Sequence, residues 1–164
     1  MYNFVDTNGY AEGTSLPSEA LKINGAYLEH TVTGYRTLYV KGREMLAPDI
    51  ETYETGVRDG ATLQSKRFPA RTITVGYQLI ASSAEAFRAA FNALNAALDV
   101  EEAELIFADE PDKFFIGTPS GRGDVPAGRN AIIGEFDILC ADPFKYSVQE
   151  YEVTPTLDDG TAFA

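Results

Sequence analysis

The stretch Arg71–Ile80 alternates strictly between apolar and polar side chains, and it constrains the fold more than any other part of the chain. Large apolar residues stand at every second position, namely Ile73, Val75, Tyr77 and Leu79. Polar residues fill positions between them, namely Thr72, Thr74 and Gln78. Because successive side chains of a β-strand point to opposite faces, this pattern predicts a strand with one buried face.

An amphipathic helix is predicted directly after this strand, over residues 84–98. Its apolar stripe recurs at helical spacing and consists of Phe87, Phe91, Leu94 and Leu98. Ser82 is predicted as the N-cap because Glu85 follows three residues later, which is the pattern of a capping box. A single amphipathic helix needs an apolar surface to cover, so we expect this helix to pack on a sheet.

Further strands are predicted on either side of this strand–helix unit. They cover residues 27–33, 35–41, 103–107, 113–117, 131–141 and 146–153. Turn signals separate them at Asn24-Gly25, at residues 108–112 and across the Gly- and Pro-containing loop 118–130. Residues 1–20 are interpreted as an irregular arm or a short edge strand. The pattern indicates a mainly antiparallel β fold, a sandwich or a barrel, with one α-helix packed on the sheet.

Residues 44–68 differ from the rest because they contain few large aliphatic side chains. Asp59-Gly60 is a turn signal, and it predicts a hairpin whose tip spans residues 56–60. The flanking segments 51–55 and 61–66 alternate but supply little material for a core. Two interpretations stay open at this point. The hairpin either projects and packs against something else, or it is a mobile surface loop.

The balance of charge argues against non-specific binding to nucleic acid. The formal net charge is −12, from 25 acidic and 13 basic residues. Because such binding depends on neutralising phosphates, a chain this acidic should repel DNA unless its basic residues gather on one face. The only small basic cluster consists of Lys66, Arg67 and Arg71. Acidic walls would instead suit a passage through which DNA moves without sticking. No run of about 18 apolar residues occurs, so no transmembrane helix is predicted.

No residue pattern predicts an active site, a cofactor site or a metal site. His30 is the only histidine and Cys140 the only cysteine, and neither stands in a nucleophile motif. We expect His30 at the surface and Cys140 in the core. A lone cysteine excludes an intramolecular disulfide and is compatible with a reducing cytoplasm. The carboxylates of Asp109, Glu110 and Asp112 could serve acid–base chemistry or bind calcium, but a solvated turn is the favoured interpretation.

The order of segments over residues 71–147 carries a resemblance to a known family. The strand and helix at residues 71–98 are followed by a strand with Leu105-Ile106-Phe107, a turn, and Lys113-Phe114-Phe115-Ile116-Gly117. The most specific part is Phe-x-Ile-x-Cys-Ala-Asp-Pro-Phe-Lys-Tyr-Ser at residues 136–147. The chain resembles the N-terminal domain of the distal tail protein (Dit) family, found in siphophages and prophages of Gram-positive bacteria.

The resemblance implies a structural protein of the phage tail tip. The implied fold is a β-sandwich-like domain related to tail-tube proteins, without catalytic residues, cofactors or membrane contact. Six copies would form a ring that joins the tail tube protein to the tail-associated hub protein, and DNA would pass through its lumen without specific binding. Such a protein would assemble in the cytoplasm of the bacterial host and reside at the tail tip of the virion.

The resemblance also implies a domain organisation. Residues 1–150 would form the ring-forming domain. Residues 151–164 would be a linker or the start of a C-terminal domain, often galectin-like in this family, that can hold receptor-binding proteins.

The predicted hairpin resembles one that lies against the neighbouring subunit in this family. The residues predicted at this contact are Tyr53, Thr55, Val57, Arg58 and Leu63. Three alternatives stay open. The chain could be another tail-ring or tube component, or a β-sandwich carbohydrate-binding module, although it lacks the Trp typical of a sugar platform. An enzyme using the carboxylates near Asp109 is the third.

Overall fold

The computed structural model describes residues 16–124 and 128–150. In this part of the chain ten strands and two helices follow one another as β1 (Leu21–Ile23), β2 (Ala26–Tyr27), α1 (Leu28–Thr31), β3 (Tyr35–Lys41), β4 (Asp49–Tyr53), β5 (Thr62–Arg67), β6 (Arg71–Ile80), α2 (Ala84–Ala97), β7 (Ala103–Phe107), β8 (Glu110–Arg122), β9 (Ala131–Cys140) and β10 (Tyr146–Ser147). No helix of the described ranges is both long and apolar enough to span a bilayer.

Eight strands form one antiparallel sheet, and the other two form a separate hairpin. The order in the large sheet is β2-β1-β7-β8-β9-β6-β3, with β10 paired to β8, while β4 pairs with β5. Strand β8 joins the two halves of the sheet, because residues 110–117 pair with β7 and residues 118–122 pair with β9. The predicted fold class is therefore confirmed as mainly β, sandwich-like, with one long helix and a projecting hairpin.

Gly117 lies where β8 changes partner, and the site leaves no room for a side chain. A Cβ at this position would approach Ile138 Cγ2 to 2.6 Å and Leu105 Cδ1 to 2.9 Å. Both distances are shorter than ordinary van der Waals contact, so a larger residue would push the two strands apart. The glycine thereby allows β8 to cross over the core between its two partner strands.

One hydrophobic core lies between the sheet and α2. The alternating residues of β6 point into it as predicted, and Ile73, Val75 and Leu79 are fully buried. The predicted stripe on α2 is confirmed by the buried Phe87 and Leu94, while Phe91 is partly buried at its edge. Leu98, just after the helix, closes the stripe. Helix α2 thus covers the sheet, as expected for a single amphipathic helix.

The predicted strand at residues 27–33 is wrong. The turn at Asn24 and Gly25, with φ values of 47° and 90°, reverses the chain and leaves only the two residues of β2. The one-turn helix α1 follows, and Leu28 and Val32 enter the core four positions apart. Spacing of four residues places side chains on one face of a helical turn, and this spacing determines the local structure here.

The predicted N-cap at Ser82 is also wrong by one residue. Ser83 is the N-cap, and its Oγ accepts a hydrogen bond of 3.1 Å from the backbone N–H of Ala86. Its extended backbone, with φ of −147° and ψ of 165°, is the conformation that an N-cap adopts. Ala86 thus occupies the third helical position, where a capping box requires Glu or Gln, so no capping box forms at this helix.

Three further boundaries differ from the prediction. Strand β8 begins at Glu110, so only residues 108 and 109 of the predicted turn 108–112 lie outside a strand. Strand β8 extends to Arg122, so residues 118–122 are not part of a loop. Among the described strands, only β9 pairs with residues 118–122, so the other edge of this half of β8 has no partner strand. Pro119, which lacks an N–H donor, is tolerated at such an edge. Strand β10 covers only Tyr146 and Ser147, and residues 148–150 are not strand. The interpretations of residues 1–15, 125–127 and 151–164 concern positions outside the described ranges.

Candidate assembly surface

Strands β4 and β5, together with their tip and the next residue, form a projecting hairpin that we call the arm (residues 49–68). The two strands pair with each other and with no other described strand, and every residue from 49 to 68 is exposed. A two-stranded hairpin is at best marginally stable in water without a surface to pack on. The arm therefore has the form of an element that is completed by contact with another surface.

The register of the arm gives it two different faces. Ile50 lies opposite Lys66 and Thr52 lies opposite Leu63, and we call the surface of these four residues the apolar face. The pairing shifts between Glu51 and Thr52, so both pairs project on the same side. The side chains of Ile50 and Leu63 are 57% and 60% exposed, which leaves their apolar surface in water.

On the opposite side, which we call the polar face, side chains form an ion pair and a hydrogen bond with each other. This face consists of Asp49, Glu51, Tyr53, Thr62, Ser65 and Arg67. Asp49 and Arg67 form an ion pair of 3.3 Å, and Ser65 Oγ donates a hydrogen bond of 3.1 Å to Glu51. Four of these six side chains thus have partners within the arm, while Tyr53 is 56% exposed and adds aromatic surface to this face.

The residues predicted at a subunit contact do not share one face. Tyr53 lies on the polar face and Leu63 on the apolar face. Thr55, Val57 and Arg58 belong to the tip. There the Thr55 carbonyl accepts hydrogen bonds from the backbone N–H groups of Val57 and Arg58. Sequence reasoning missed Ile50, whose position opposite Lys66 follows only from the strand register. The participation of all these residues in a contact stays a prediction.

Arg43 anchors the chain just before the arm. Its side chain is only 8% exposed, and it donates hydrogen bonds of 2.8 and 2.7 Å to the two carboxylate oxygens of Asp109. It also binds Glu19 at 2.9 Å and lies 4.4 Å from the ring centre of Phe107. The hydrogen bonds from Arg43 lower the pKa of Asp109 below its usual range. The loop leading into the arm is thereby fixed to the β7–β8 turn.

Arg71 anchors the chain just after the arm. The basic cluster predicted with Lys66 and Arg67 does not form, because Arg71 is buried while the other two are exposed. Its guanidinium donates to the backbone carbonyls of Pro143 at 3.0 Å, Gly42 at 2.9 Å and Glu44 at 3.2 Å. One side chain thus ties the two chain segments that flank the arm to each other, and holds both to the end of β9.

Exposed apolar side chains are concentrated on this side of the molecule. Seven large ones lie on the arm, in the loop before it or at Phe144, which meets the arm, namely Met45, Ile50, Tyr53, Val57, Leu63, Phe68 and Phe144. Five lie on or beside the strands of the sheet, namely Ile80, Ile133, Leu139, Tyr146 and Val148. Phe68 and Phe144 meet edge to face with their ring centres 5.7 Å apart. Exposed apolar side chains grouped on one element are a feature of surfaces that contact another protein.

The residues considered for catalysis or metal binding take part in ring contacts, in the core or in ion pairs. His30 is exposed and contacts the Tyr27 ring edge to face, as expected for a surface residue. Cys140 is buried, and burial raises the pKa of its thiol to about 11. Glu110 forms an ion pair with Lys145 at 2.8 Å, and Asp112 forms one with Lys113 at 2.9 Å. Within residues 16–124 and 128–150, no cluster of acidic, His or Cys side chains could hold a metal ion.

Comparison with solved structures gives a likeness in fold. The chain superposes on the phage SPP1 Dit protein, described as a paradigm of the hub adsorption apparatus in phages that infect Gram-positive bacteria, with a TM-score of 0.67 and 20% identity. The match covers 78% of this chain and 51% of the SPP1 protein, so the chain spans about half the length of that relative.

A second solved structure is the terminating cap of the anti-feeding prophage tube. Its TM-score is 0.43 at 12% identity, covering 83% of this chain and 93% of the cap, and this likeness is too weak to carry an argument. No curated protein matches the chain significantly.

A match to a family model identifies the protein family of this chain. The model of the phage tail protein RIFT-related domain matches residues 41–139, which include the arm, the central strand β6, helix α2 and most of β9. The match extends over more than half of the sequence, and it agrees with the resemblance to siphophage distal tail proteins. The chain therefore belongs to the family of phage tail proteins with a RIFT-related domain.

Proposed function

We propose that this chain is the ring-forming structural component of a phage tail tip. In this proposal six copies form a homohexameric ring that joins the tail tube to the tail-associated hub protein and lets DNA pass. Membership of the tail protein family and the fold likeness to SPP1 Dit support a structural role without catalysis. The observation that carries the proposal is the exposed arm, which is anchored at both ends by Arg43 and Arg71.

A ring requires a particular kind of contact between its subunits. In a cyclic oligomer each subunit uses one surface to bind a different surface of the next subunit. An arm whose two strands pair with no other described strand, and which meets the body at Phe68 near its root, suits such a contact. The anchored root would hold the arm in one direction, so that every copy presents it to its neighbour in the same way.

The charge of the chain supports the passage of DNA. A net charge of −12 per copy disfavours the phosphate contacts by which proteins retain DNA. The lumen of the ring would therefore be acidic or neutral. A basic lumen in an assembled structure would contradict this part of the proposal.

The partners and location follow from the same proposal. The tail tube protein would bind one side of the ring and the hub protein the other, at the tail tip of the virion after assembly in the host cytoplasm. Residues 1–150 would form the ring domain. Residues 151–164 would lead towards a C-terminal domain that can hold receptor-binding proteins.

Deletion of residues 55–62 tests the proposal. We expect the native chain to show, by light scattering across a concentration series, a mass near six times the 17.9 kDa of one chain. We expect the deletion variant to stay folded as a monomer, because the removed residues contribute nothing to the core. Circular dichroism and urea unfolding would check that its body is intact. A native chain that stays monomeric, or a deletion variant that still forms a ring, would contradict the proposal.

A further inference from the structure

We propose that Asp142 and Phe144 are positioning residues that set the direction of the arm. Asp142 fixes a turn after β9, this turn presents the Phe144 ring, and the ring holds the arm through Phe68. This role rests on the proposed function, because it names the residues that make every copy present its arm in the same direction. The contacts lie within one chain, so they can be tested apart from assembly.

The arm joins the body by a longer and a shorter connection. Residues 42–48 separate β3 from β4, whereas only residues 68–70 separate β5 from β6. Pro69 in the shorter connection has a fixed φ and restricts the backbone of the residue before it. Few backbone torsions are therefore left between the arm and the anchored Arg71. The direction of the arm then depends mainly on what holds the side chain of Phe68.

The Phe144 ring holds Phe68 from the body. The two rings meet edge to face, with an angle of 79° between their planes. Aromatic pairs prefer such defined arrangements, so the contact favours one orientation of the arm. Phe68 and Phe144 are 40% and 52% exposed, so both lie outside the core. The contact can thus orient the arm without being required for the folding of the body.

Asp142 fixes the turn that carries Phe144. Its carboxylate accepts a hydrogen bond of 3.1 Å from the backbone N–H of Phe144 and another from the hydroxyl of Tyr146. An Asp side chain that binds the backbone two residues further on stabilises a turn. The hydrogen bonds from Tyr146 and from the Phe144 N–H lower the pKa of Asp142 below its usual range, so the acceptor is charged at neutral pH.

The same turn is tied to the body before and after Phe144. On one side Arg71 donates a hydrogen bond of 3.0 Å to the carbonyl of Pro143. On the other side Tyr146 pairs with Phe114 in the ladder between β10 and β8. Because both ends of the turn are held, the Phe144 ring has a defined position relative to the sheet.

Motion of a dye on the arm tests this role. The dye is attached at Thr62→Cys and observed in single chains, at low salt and at a dilution confirmed by fluorescence correlation spectroscopy. Time-resolved anisotropy separates tumbling of the whole chain from the faster motion of the arm. A dye at Asn92→Cys, exposed on α2, reports on the body. The native Cys140 gives little background, because it is buried and its pKa is about 11.

We expect Phe68→Ala, Phe144→Ala and Asp142→Ala each to raise the amplitude of arm motion at least about twofold. Asp142→Asn keeps an oxygen acceptor for the Phe144 N–H, so its amplitude should stay near the native value. Combining Phe68→Ala with Phe144→Ala should add nothing to either change, since both remove one contact. Ile133→Ala is the matched control, because it removes an exposed apolar side chain from β9.

Unchanged arm motion in the Phe68 and Phe144 variants would overturn the proposed role, and so would an equal increase in Ile133→Ala. Increased motion of the dye at Asn92 would show a general loosening of the body and would also overturn it. Asp142→Asn as mobile as Asp142→Ala would overturn the part assigned to Asp142. If either Phe68→Ala or Phe144→Ala fails to fold, the other still reports on the same contact.

These measurements on single chains are valid whether or not the native chain forms a ring. Where a ring forms, Phe144→Ala should raise the protein concentration for half-assembly at least about tenfold, because a loose arm must be ordered when it binds. An unchanged concentration despite a looser arm would overturn the role of Phe144 in presenting the arm and leave the proposed ring intact. A native chain that never assembles would contradict the proposed function alone.

Discussion

At the scale of single residues, two buried arginines determine where the arm leaves the body. A charged side chain is costly to bury unless its donors are bound. The two arginines bind theirs in different ways, and the buried Nε of Arg43 is left without a hydrogen-bond partner among the described residues. Arg43 binds carboxylates, whereas Arg71 binds three backbone carbonyls. The Arg71 guanidinium also lies 5.5 Å from the ring centre of Phe115, so an aromatic ring packs against it.

Replacing Arg71 should be strongly destabilising. In Arg71→Met the buried carbonyl of Pro143 and the partly buried carbonyls of Gly42 and Glu44 would lose a donor. We expect the free energy of unfolding to fall by about 3 kcal/mol. Urea unfolding at low protein concentration measures this change. Arg67→Met is the matched control on the exposed arm, where loss of a surface ion pair should cost less than about 0.5 kcal/mol. Similar losses in both variants would contradict the assigned role of Arg71.

At the scale of elements, helix α2 begins at the residue whose backbone allows capping. Ser82 and Ser83 are adjacent and chemically identical, and only the second accepts the hydrogen bond from Ala86. The cap leaves the stripe of Phe87 and Leu94 directed at the sheet. The first turn of the helix therefore determines how α2 meets the core.

The two serines provide a test with an internal control. Ser83→Ala should lower the free energy of unfolding by about 1 kcal/mol, because one N–H of the first turn loses its acceptor. Ser82→Ala should change it by less than about 0.5 kcal/mol, as is usual for an exposed position without a defined contact. Thermal unfolding followed by circular dichroism compares the two. A larger loss for Ser82→Ala would mean that the helix begins one residue earlier.

At the scale of the whole molecule, charge and apolar surface oppose each other in assembly. The net charge of −12 makes copies repel, while the exposed apolar residues on the arm and at its root make them attract. Repulsion between exposed charges is screened by salt, but burial of apolar surface is not weakened by it. Ionic strength should therefore shift the balance between single chains and the proposed ring.

Raising the salt concentration should promote assembly of the native chain. Between about 0.01 and about 1 M salt the Debye length falls from about 30 to about 3 Å, so repulsion between whole subunits is largely removed. We expect the concentration at which light scattering shows half-assembly to fall as salt is added. The chain lacking residues 55–62 should stay monomeric throughout. Dissociation of the native assembly by salt would instead show that ion pairs dominate the contact.

The sequence by itself determined the strand–helix core and a hairpin over residues 51–66, whereas only the structure showed that this hairpin projects as the arm. The alternation over Arg71–Ile80 and the helical stripe of α2 are local properties, because each depends only on residues a few positions apart. Their burial is confirmed for Ile73, Val75 and Leu94. The hairpin of residues 51–66 was also predictable, since Asp59-Gly60 fixes a turn and the flanking residues cannot form a core.

Only the tertiary structure decided the roles of Arg71, β8 and the two faces of the arm. Arg71 stands beside basic residues in the sequence, yet the carbonyls it binds come from residues 42, 44 and 143, far away along the chain. Strand β8 continues past its predicted end because β9 supplies partners there. The face of each arm residue depends on a register shift between Glu51 and Thr52. These features depend on pairing between distant segments, which local periodicity does not encode.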